Sequence, residues 1–146
     1  MAIDANLITG TLEAAGYRLT GPRRTLAELI SREPGYFTAA DLVAATGSAD
    51  PAIGRATVFR VLELLSQLGL IERLDLPSGE RAYLSCEPSH HHHVICSRCG
   101  RAADVADCGL AQVADEMGRR TGYRVAAHRL ALFGLCPACQ GQGGQP

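Results

Sequence analysis

Gly54-Arg55-Ala56-Thr57-Val58-Phe59-Arg60-Val61-Leu62-Glu63-Leu64-Leu65-Ser66-Gln67-Leu68-Gly69 is the stretch on which the fold turns. Val58, Val61, Leu62, Leu65 and Leu68 recur at i, i+3, i+4, i+7 and i+10, while Arg60, Glu63 and Gln67 share the other side. That spacing predicts a helix with one buried and one solvated face. Beyond Gly69, the run Leu70-Ile71 with Leu74, the turn Leu76-Pro77-Ser78-Gly79 and the run Ala82-Tyr83-Leu84 read as a β-hairpin over residues 70–85. Upstream lie three shorter helical segments. In the first, Ile3, Leu7, Ile8 and Leu12 lie near one face and Gly16 ends it. The second opens on Thr20 as a cap and Pro22 in the first turn, and carries Leu26, Leu29 and Ile30. The third starts at a Thr38–Asp41 capping box and stops near Gly47. Three helices, a longer helix with a polar face and a hairpin make the pattern of a winged helix-turn-helix, whose fourth helix would enter the DNA major groove. A small helical bundle with an incidental hairpin is the plainer alternative.

From Cys86 onward Cys, His and Gly dominate. Residues 92–96 and 101–105 look like strands around a Cys96-Ser97-Arg98-Cys99-Gly100 knuckle, Leu110, Val113, Ala114 and Met117 mark a helix, and 123–133 alternate enough for a third strand that would carry His128. The expected architecture is α+β. A winged-helix DNA-binding domain spans 1–85, a hinge 86–89, and a small α/β dimerisation and metal-binding domain 90–140. The Gly- and Gln-rich residues 141–146 form a disordered tail.

A chain of 146 residues excludes a large multidomain enzyme. With 47% hydrophobic and 20% charged residues the composition is globular, and no run approaches the roughly 20 apolar residues of a membrane span. The opening Met1-Ala2-Ile3-Asp4-Ala5-Asn6 lacks the basic and apolar regions of a secretory signal, so the expected location is the cytoplasm, where disulfides are disfavoured. The net charge is −1, and residues 1–85 hold eight arginines against ten acids, so any DNA-binding face must be local.

Cys96, Cys99, Cys136 and Cys139 form two Cys-x-x-Cys pairs. Two thiolates on a tight turn provide half a tetrahedron, and two such turns complete a closed structural zinc site. A redox dithiol needs only one such pair, in a βαβ context. His90, His91, His92 and His93 run consecutively into the knuckle. On an extended strand His91 and His93 point one way and His90 and His92 the other, so two metal sites can share one strand. A solvated histidine tract is the plainer reading.

The pattern Gly54-Arg55-Ala56-Thr57-Val58-Phe59-Arg60, then His90 to His93 leading into Cys96-x-x-Cys99-Gly100, then His128 and Cys136-x-x-Cys139 resembles the ferric uptake regulator family of metal-dependent repressors. The resemblance also takes in Gly16-Tyr17-Arg18-Leu19-Thr20-x-Pro22-Arg23 and so spans nearly the whole chain. It implies structural zinc on Cys96, Cys99, Cys136 and Cys139, and a regulatory site of Glu72, Cys86, His91 and His93. It also implies a second site using His90, His92 and His128. The family often adds a Glu from the dimerisation helix to that second site, and the aligned position here is Ala111; Asp104, Asp107 or Glu116 are the substitutes. Cys108 has no partner at ligand spacing and reads as structural.

A thiolate, two imidazoles and a carboxylate suit Zn²⁺ better than Mn²⁺ or ferrous iron. Iron and peroxide sensors of the family usually recruit a histidine before the third helix, where Gly35-Tyr36-Phe37 stands here. Within the family the resemblance is therefore closest to the zinc uptake regulators. For double-stranded operator DNA, Thr57 and Arg60 lie on the polar side of the fourth helix, Phe59 stands where tyrosine is common and can meet a thymine methyl, and Arg18, Arg23 and Arg55 are backbone or minor-groove candidates.

The expectation is a homodimeric, zinc-responsive repressor of metal-uptake genes and not an enzyme. A zinc deaminase needs His-x-Glu and Pro-Cys-x-x-Cys, whereas this chain has Leu135-Cys136-Pro137 and no His-x-Glu. An iron-, nickel- or peroxide-sensing regulator is the alternative within the family, and a zinc chaperone or storage module the alternative from another class.

Overall fold

The computed structural model describes residues 3–106 and 108–142. They fall into two compact units, one ending at Pro88 and one beginning at Ser89. Residues 143–146 of the expected tail lie outside the described residues, while Gly141 caps the last helix.

The first unit contains α1 (Ala5–Ala14), α2 (Gly21–Ser31), α3 (Ala39–Ala49), α4 (Arg55–Gln67), β1 (Ile71–Asp75) and β2 (Arg81–Ser85). Two of its helices start where a side chain accepts from a free backbone donor. Asp4 accepts from the Leu7 N–H at 2.7 Å, and Thr38 with Asp41 closes a reciprocal capping box. Thr20 stands at the α2 N-cap but makes no side-chain cap bond; Pro22 alone marks that start. The third helix runs past Gly47 to Ala49, because one glycine costs only about 1 kcal/mol in a helix interior. The α4 pattern is realised: Val58, Val61, Leu62 and Leu65 are buried, with Leu64 added. Leu7 is instead exposed; Ile8 and Leu12 carry the α1 contribution to the core, and Ile3, ahead of the helix, is buried with them.

The hairpin is antiparallel, pairing Ile71 with Ser85 and Asp75 with Arg81. A third pairing has no counterpart in the sequence pattern. Phe37 and Tyr83 exchange backbone hydrogen bonds of 2.9 and 2.7 Å and stack their rings 6.0 Å apart. Gly35-Tyr36-Phe37 thus joins the edge of the wing, with Phe37 in the core.

The second unit contains β3 (His92–Cys96), β4 (Ala102–Val105), α5 (Ala111–Thr121), β5 (Ala131–Gly134) and the short α6 (Pro137–Gln140). The sheet order is β4-β3-β5, with β3 antiparallel to β4 and parallel to β5. A parallel partner requires a crossover, which α5 supplies. The expected strand over 123–133 shrinks to 131–134, so His128 lies ahead of β5 and not on it. The return from α5 passes close to its axis. A Cβ on Gly118 would sit 2.7 Å from the Tyr123 carbonyl oxygen, so only glycine fits there.

Candidate metal centres and nucleic-acid face

On the first unit, α2 and α4 frame a cleft of about 180 Å³ lined by Thr20, Pro22, Arg23, Thr57, Arg60, Val61 and Leu64. Arg60 is exposed, and its guanidinium donates to the Thr57 hydroxyl at 3.3 Å. The Arg55 guanidinium lies 5.2 Å from the exposed Phe59 ring, and that of Arg23 lies 5.7 Å from the Tyr17 ring. Arg23 also donates to the Arg18 carbonyl. Arg60 is thus held by a hydroxyl, Arg55 by a ring, and Arg23 by a ring and a backbone oxygen, while Arg18 takes part through its carbonyl. On the same unit, Arg73 of β1 pairs with Glu63 of α4 at 2.6 Å. Both groups are half exposed, so this pair adds little stability.

The four knuckle cysteines converge, all sulfurs lying within 4.8 Å of one another. A tetrahedron with zinc–sulfur bonds of roughly 2.3 Å has edges of roughly 3.8 Å. Cys99 Sγ and Cys136 Sγ are 3.8 Å apart. The backbone makes this possible. Gly100, at φ 75°, reverses the chain so that its N–H donates to the Cys96 carbonyl at 2.9 Å. Cys139 N–H donates to the Cys136 carbonyl at 2.9 Å in the other turn. The backbone N–H groups of Cys136 and then Cys99 hold the Cys96 thiol well below its usual range, while hydrogen bonding with Cys136 and burial push Cys139 up. Only a cation lets all four sulfurs be thiolates together, so the donor set fits zinc. Sequence reasoning missed one supporting residue. Arg98 donates to the Cys139 carbonyl at 2.9 Å and ties one knuckle to the other.

The histidine run divides as the pleat requires. The His91 and His93 rings lie 4.6 Å apart and edge to face. His91 Nδ1 is 2.6 Å from the Ser89 carbonyl, and His93 Nδ1 is 3.0 Å from Asp104 Oδ1. These bonds fix the tautomer, as partners of metal-bound histidines do, and leave each Nε2 as the donor to a metal. His91 Nε2 is buried with no hydrogen-bond partner, an orphan that an ion would satisfy.

Cys86 and Glu72 belong to the first unit. Cys86, just beyond β2, is buried, with Sγ 3.7 Å from the Gly69 carbonyl. Burial, followed by the Glu72 charge, pushes its thiol up to about 11. Such a sulfur becomes a thiolate at neutral pH only beside a cation. Glu72 itself sits half-buried on β1, paired across the ladder with Leu84.

The other two histidines of the run meet His128. Ring centroids are 4.9 Å apart for His90–His92, 4.7 Å for His90–His128 and 5.1 Å for His92–His128. Cys108 joins them, with its sulfur 3.1 Å from His92 Nε2 and 3.0 Å from His128 Nε2. Reading Cys108 as partnerless is therefore corrected. Spacing along the chain hid the contact, because its partners lie 16 and 20 residues away. The carboxylates considered for this place are otherwise engaged: Asp104 bonds His93, and Glu116 pairs with Arg119 at 2.7 Å. Asp107 lies outside the described residues.

Comparison with known proteins fits this layout. The ferric uptake regulation protein of Cupriavidus metallidurans is 32% identical over 126 residues, covering 86% of this chain and 88% of the relative. That of Bacillus subtilis is 31% identical over 135 residues, covering 90% and 91%. Among solved structures, a zinc uptake regulator complexed with zinc and DNA superposes with a TM-score of 0.80 at 24% identity, covering 94% of this chain and 93% of its own. The profile of the ferric uptake regulator family matches residues 14–133. The chain belongs to the ferric uptake regulator family.

Proposed function

We propose that this protein is a homodimeric, zinc-activated, cytoplasmic transcriptional repressor of metal-uptake genes. The observation that carries the reading is the buried, unpartnered Nε2 of His91, five residues after the buried thiol of Cys86. In this reading residues 1–85 bind operator DNA, 86–89 are the hinge and 90–140 dimerise. Glu72, Cys86, His91 and His93 are the proposed donors of the regulatory ion. Arg60 and Thr57 then face base edges from α4, and Arg18, Arg23 and Arg55 anchor phosphates. Metal acts through its higher affinity for the DNA-competent arrangement, with a coupling of about 1–3 kcal/mol. A sulfur donor among imidazoles favours zinc over iron or manganese.

The dimer reading draws on the second unit's surface, where Val113, Met117, Tyr123, Val125 and Leu132 are exposed apolar side chains. Among the described residues no helix is long and apolar enough to cross a membrane. A repressor also needs no catalytic centre, because both histidine sets and the four-cysteine set serve binding.

The curated relatives' names speak for iron, as regulators of ferric uptake. Operator binding by metal-stripped protein, titrated separately with Zn²⁺, Fe²⁺, Mn²⁺ and Ni²⁺, separates the two. Zinc is expected to restore binding at the lowest free concentration; restoration by Fe²⁺ or Mn²⁺ at equal or lower concentration overturns the zinc assignment. Absence of sequence-specific DNA binding under every metal would instead make the chain a zinc storage module.

A further inference from the structure

We infer that Cys108 is the fourth ligand of the second site that the family resemblance assigns to His90, His92 and His128, where its thiolate takes the place of a carboxylate and closes the shell. All four residues belong to the second unit, so the inference stands whether or not Cys86 binds the regulatory ion. Their ligand atoms lie within 4.8 Å of one another. They come from four separate places: the segment before β3, β3 itself, the β4–α5 connection and the segment before β5.

The spacing suits coordination. Zinc–nitrogen bonds of roughly 2.0–2.1 Å give tetrahedral nitrogen–nitrogen edges of roughly 3.3 Å. His92 Nε2 and His128 Nε2 are 3.3 Å apart. Mixed edges would be roughly 3.6 Å, so an entering ion would open the two sulfur contacts by roughly half an ångström. The chemistry points the same way. His92 Nε2, His128 Nε2 and Cys108 Sγ form a triangle with edges of 3.0 to 3.3 Å. A divalent cation is the one species that all three atoms, as unprotonated nitrogen and thiolate sulfur, can bind together.

Cys108 also sets the selectivity. Ala111, at the start of α5, offers no donor, so sulfur completes the shell among the described residues. A thiolate with three imidazoles is a borderline-soft tetrahedral set, which prefers Zn²⁺ to Mn²⁺ or Fe²⁺. Four protein donors leave no open position.

The test uses the full-length Cys86→Ser protein with zinc retained in the four-cysteine site, to which Co²⁺ is added. Cys108 is then the one cysteine outside the four-cysteine set. A sulfur-to-cobalt charge-transfer band with tetrahedral d–d absorption, saturating at one equivalent per chain, is the expected result. The band should vanish in Cys86→Ser/Cys108→Ser, and zinc content of the wild-type protein should fall by one per chain in Cys108→Ser alone. Absence of the band in the Cys86→Ser protein overturns the proposal without depending on how the Cys108 variants fold, as does a band that survives in Cys86→Ser/Cys108→Ser. DNA binding by Cys86→Ser reports separately on the regulatory reading.

Discussion

Seventeen buried hydrophobic side chains, from Ile3 to Tyr83, interlock in the first unit. From Ser89 onward the buried side chains are those of Ile95, Cys96, Cys139, His92 and His93, so among the described residues Ile95 is the one aliphatic contributor. In the same unit Met117 is 60% and Tyr123 78% exposed. The first unit is therefore held by apolar burial, and the second lacks enough buried apolar area to hold itself. So short a unit needs staples. Apart from Ile95 its buried side chains are histidines and cysteines, residue types able to bind metal, and its apolar surface is exposed, where a second copy would cover it.

The largest effect expected from this difference follows loss of the zinc proposed for the four cysteines. Cys96→Ser should lose one zinc per chain, unfold the second unit and abolish the dimer, because metal binding is folding free energy in such units. Metal analysis, sedimentation and thermal melting check it. Helical signal from the first unit should persist. A variant that stays folded and dimeric without this zinc would falsify the assignment of the metal as the second unit's core.

The converse substitution is Leu65→Ala. Leu65 is fully buried on α4, and truncating it should cost about 2–5 kcal/mol of first-unit stability. Chemical denaturation reads the loss, while zinc per folded chain should not change. If zinc content falls as well, the two modes of stabilisation are not separate.

Cys86→Ala probes the regulatory reading from the first unit's side. Losing a direct ligand should weaken the responsive zinc by at least about 100-fold, since even outer partners of ligands are worth about 10–100-fold. Operator binding then needs correspondingly more zinc, with the four-cysteine ion retained. Wild-type zinc dependence in this variant would move regulation to other donors.

Arg60→Ala should weaken operator binding by about 1–3 kcal/mol if the guanidinium reads a base edge, with zinc content unchanged. Equal loss on unrelated DNA would make it a phosphate contact, and no loss on either would remove it from the interface.

The difference between the units also explains what can be read from sequence. Apolar burial leaves a periodic trace: Val58, Val61, Leu62 and Leu65 announce α4, and alternation around Pro77-Ser78-Gly79 announces the hairpin. Cys-x-x-Cys is equally local, because both thiols share one turn. The ligand set around Cys108 leaves no such trace, since it is assembled from residues 90 to 128 by the sheet and its crossover. The expected place of His128 on a strand fails for a related reason. Residues 123–130 alternate in polarity, but only Ala131–Gly134 find a pairing partner in β3. The Phe37–Tyr83 bridge is equally illegible, because a single paired residue has no period.

The smallest expected effect is at the α3 cap. Thr38 Oγ1 accepts from the Asp41 N–H at 3.1 Å, and Asp41 Oδ2 accepts from the Thr38 N–H at 2.8 Å and from its hydroxyl at 2.7 Å. Thr38→Ala removes the hydroxyl and leaves the Asp41 N–H to water, which an exposed cap tolerates. The cost should be about 1 kcal/mol, and Thr38→Ser should recover most of it because serine supplies the same oxygen. Denaturation midpoints for the two variants measure the difference. Zinc stoichiometry should be identical in both, since the lost energy belongs to a unit whose core is apolar. A cap change of this size that altered zinc content would mean that the metal-held unit draws on first-unit stability, and the contrast between the two would have to be abandoned.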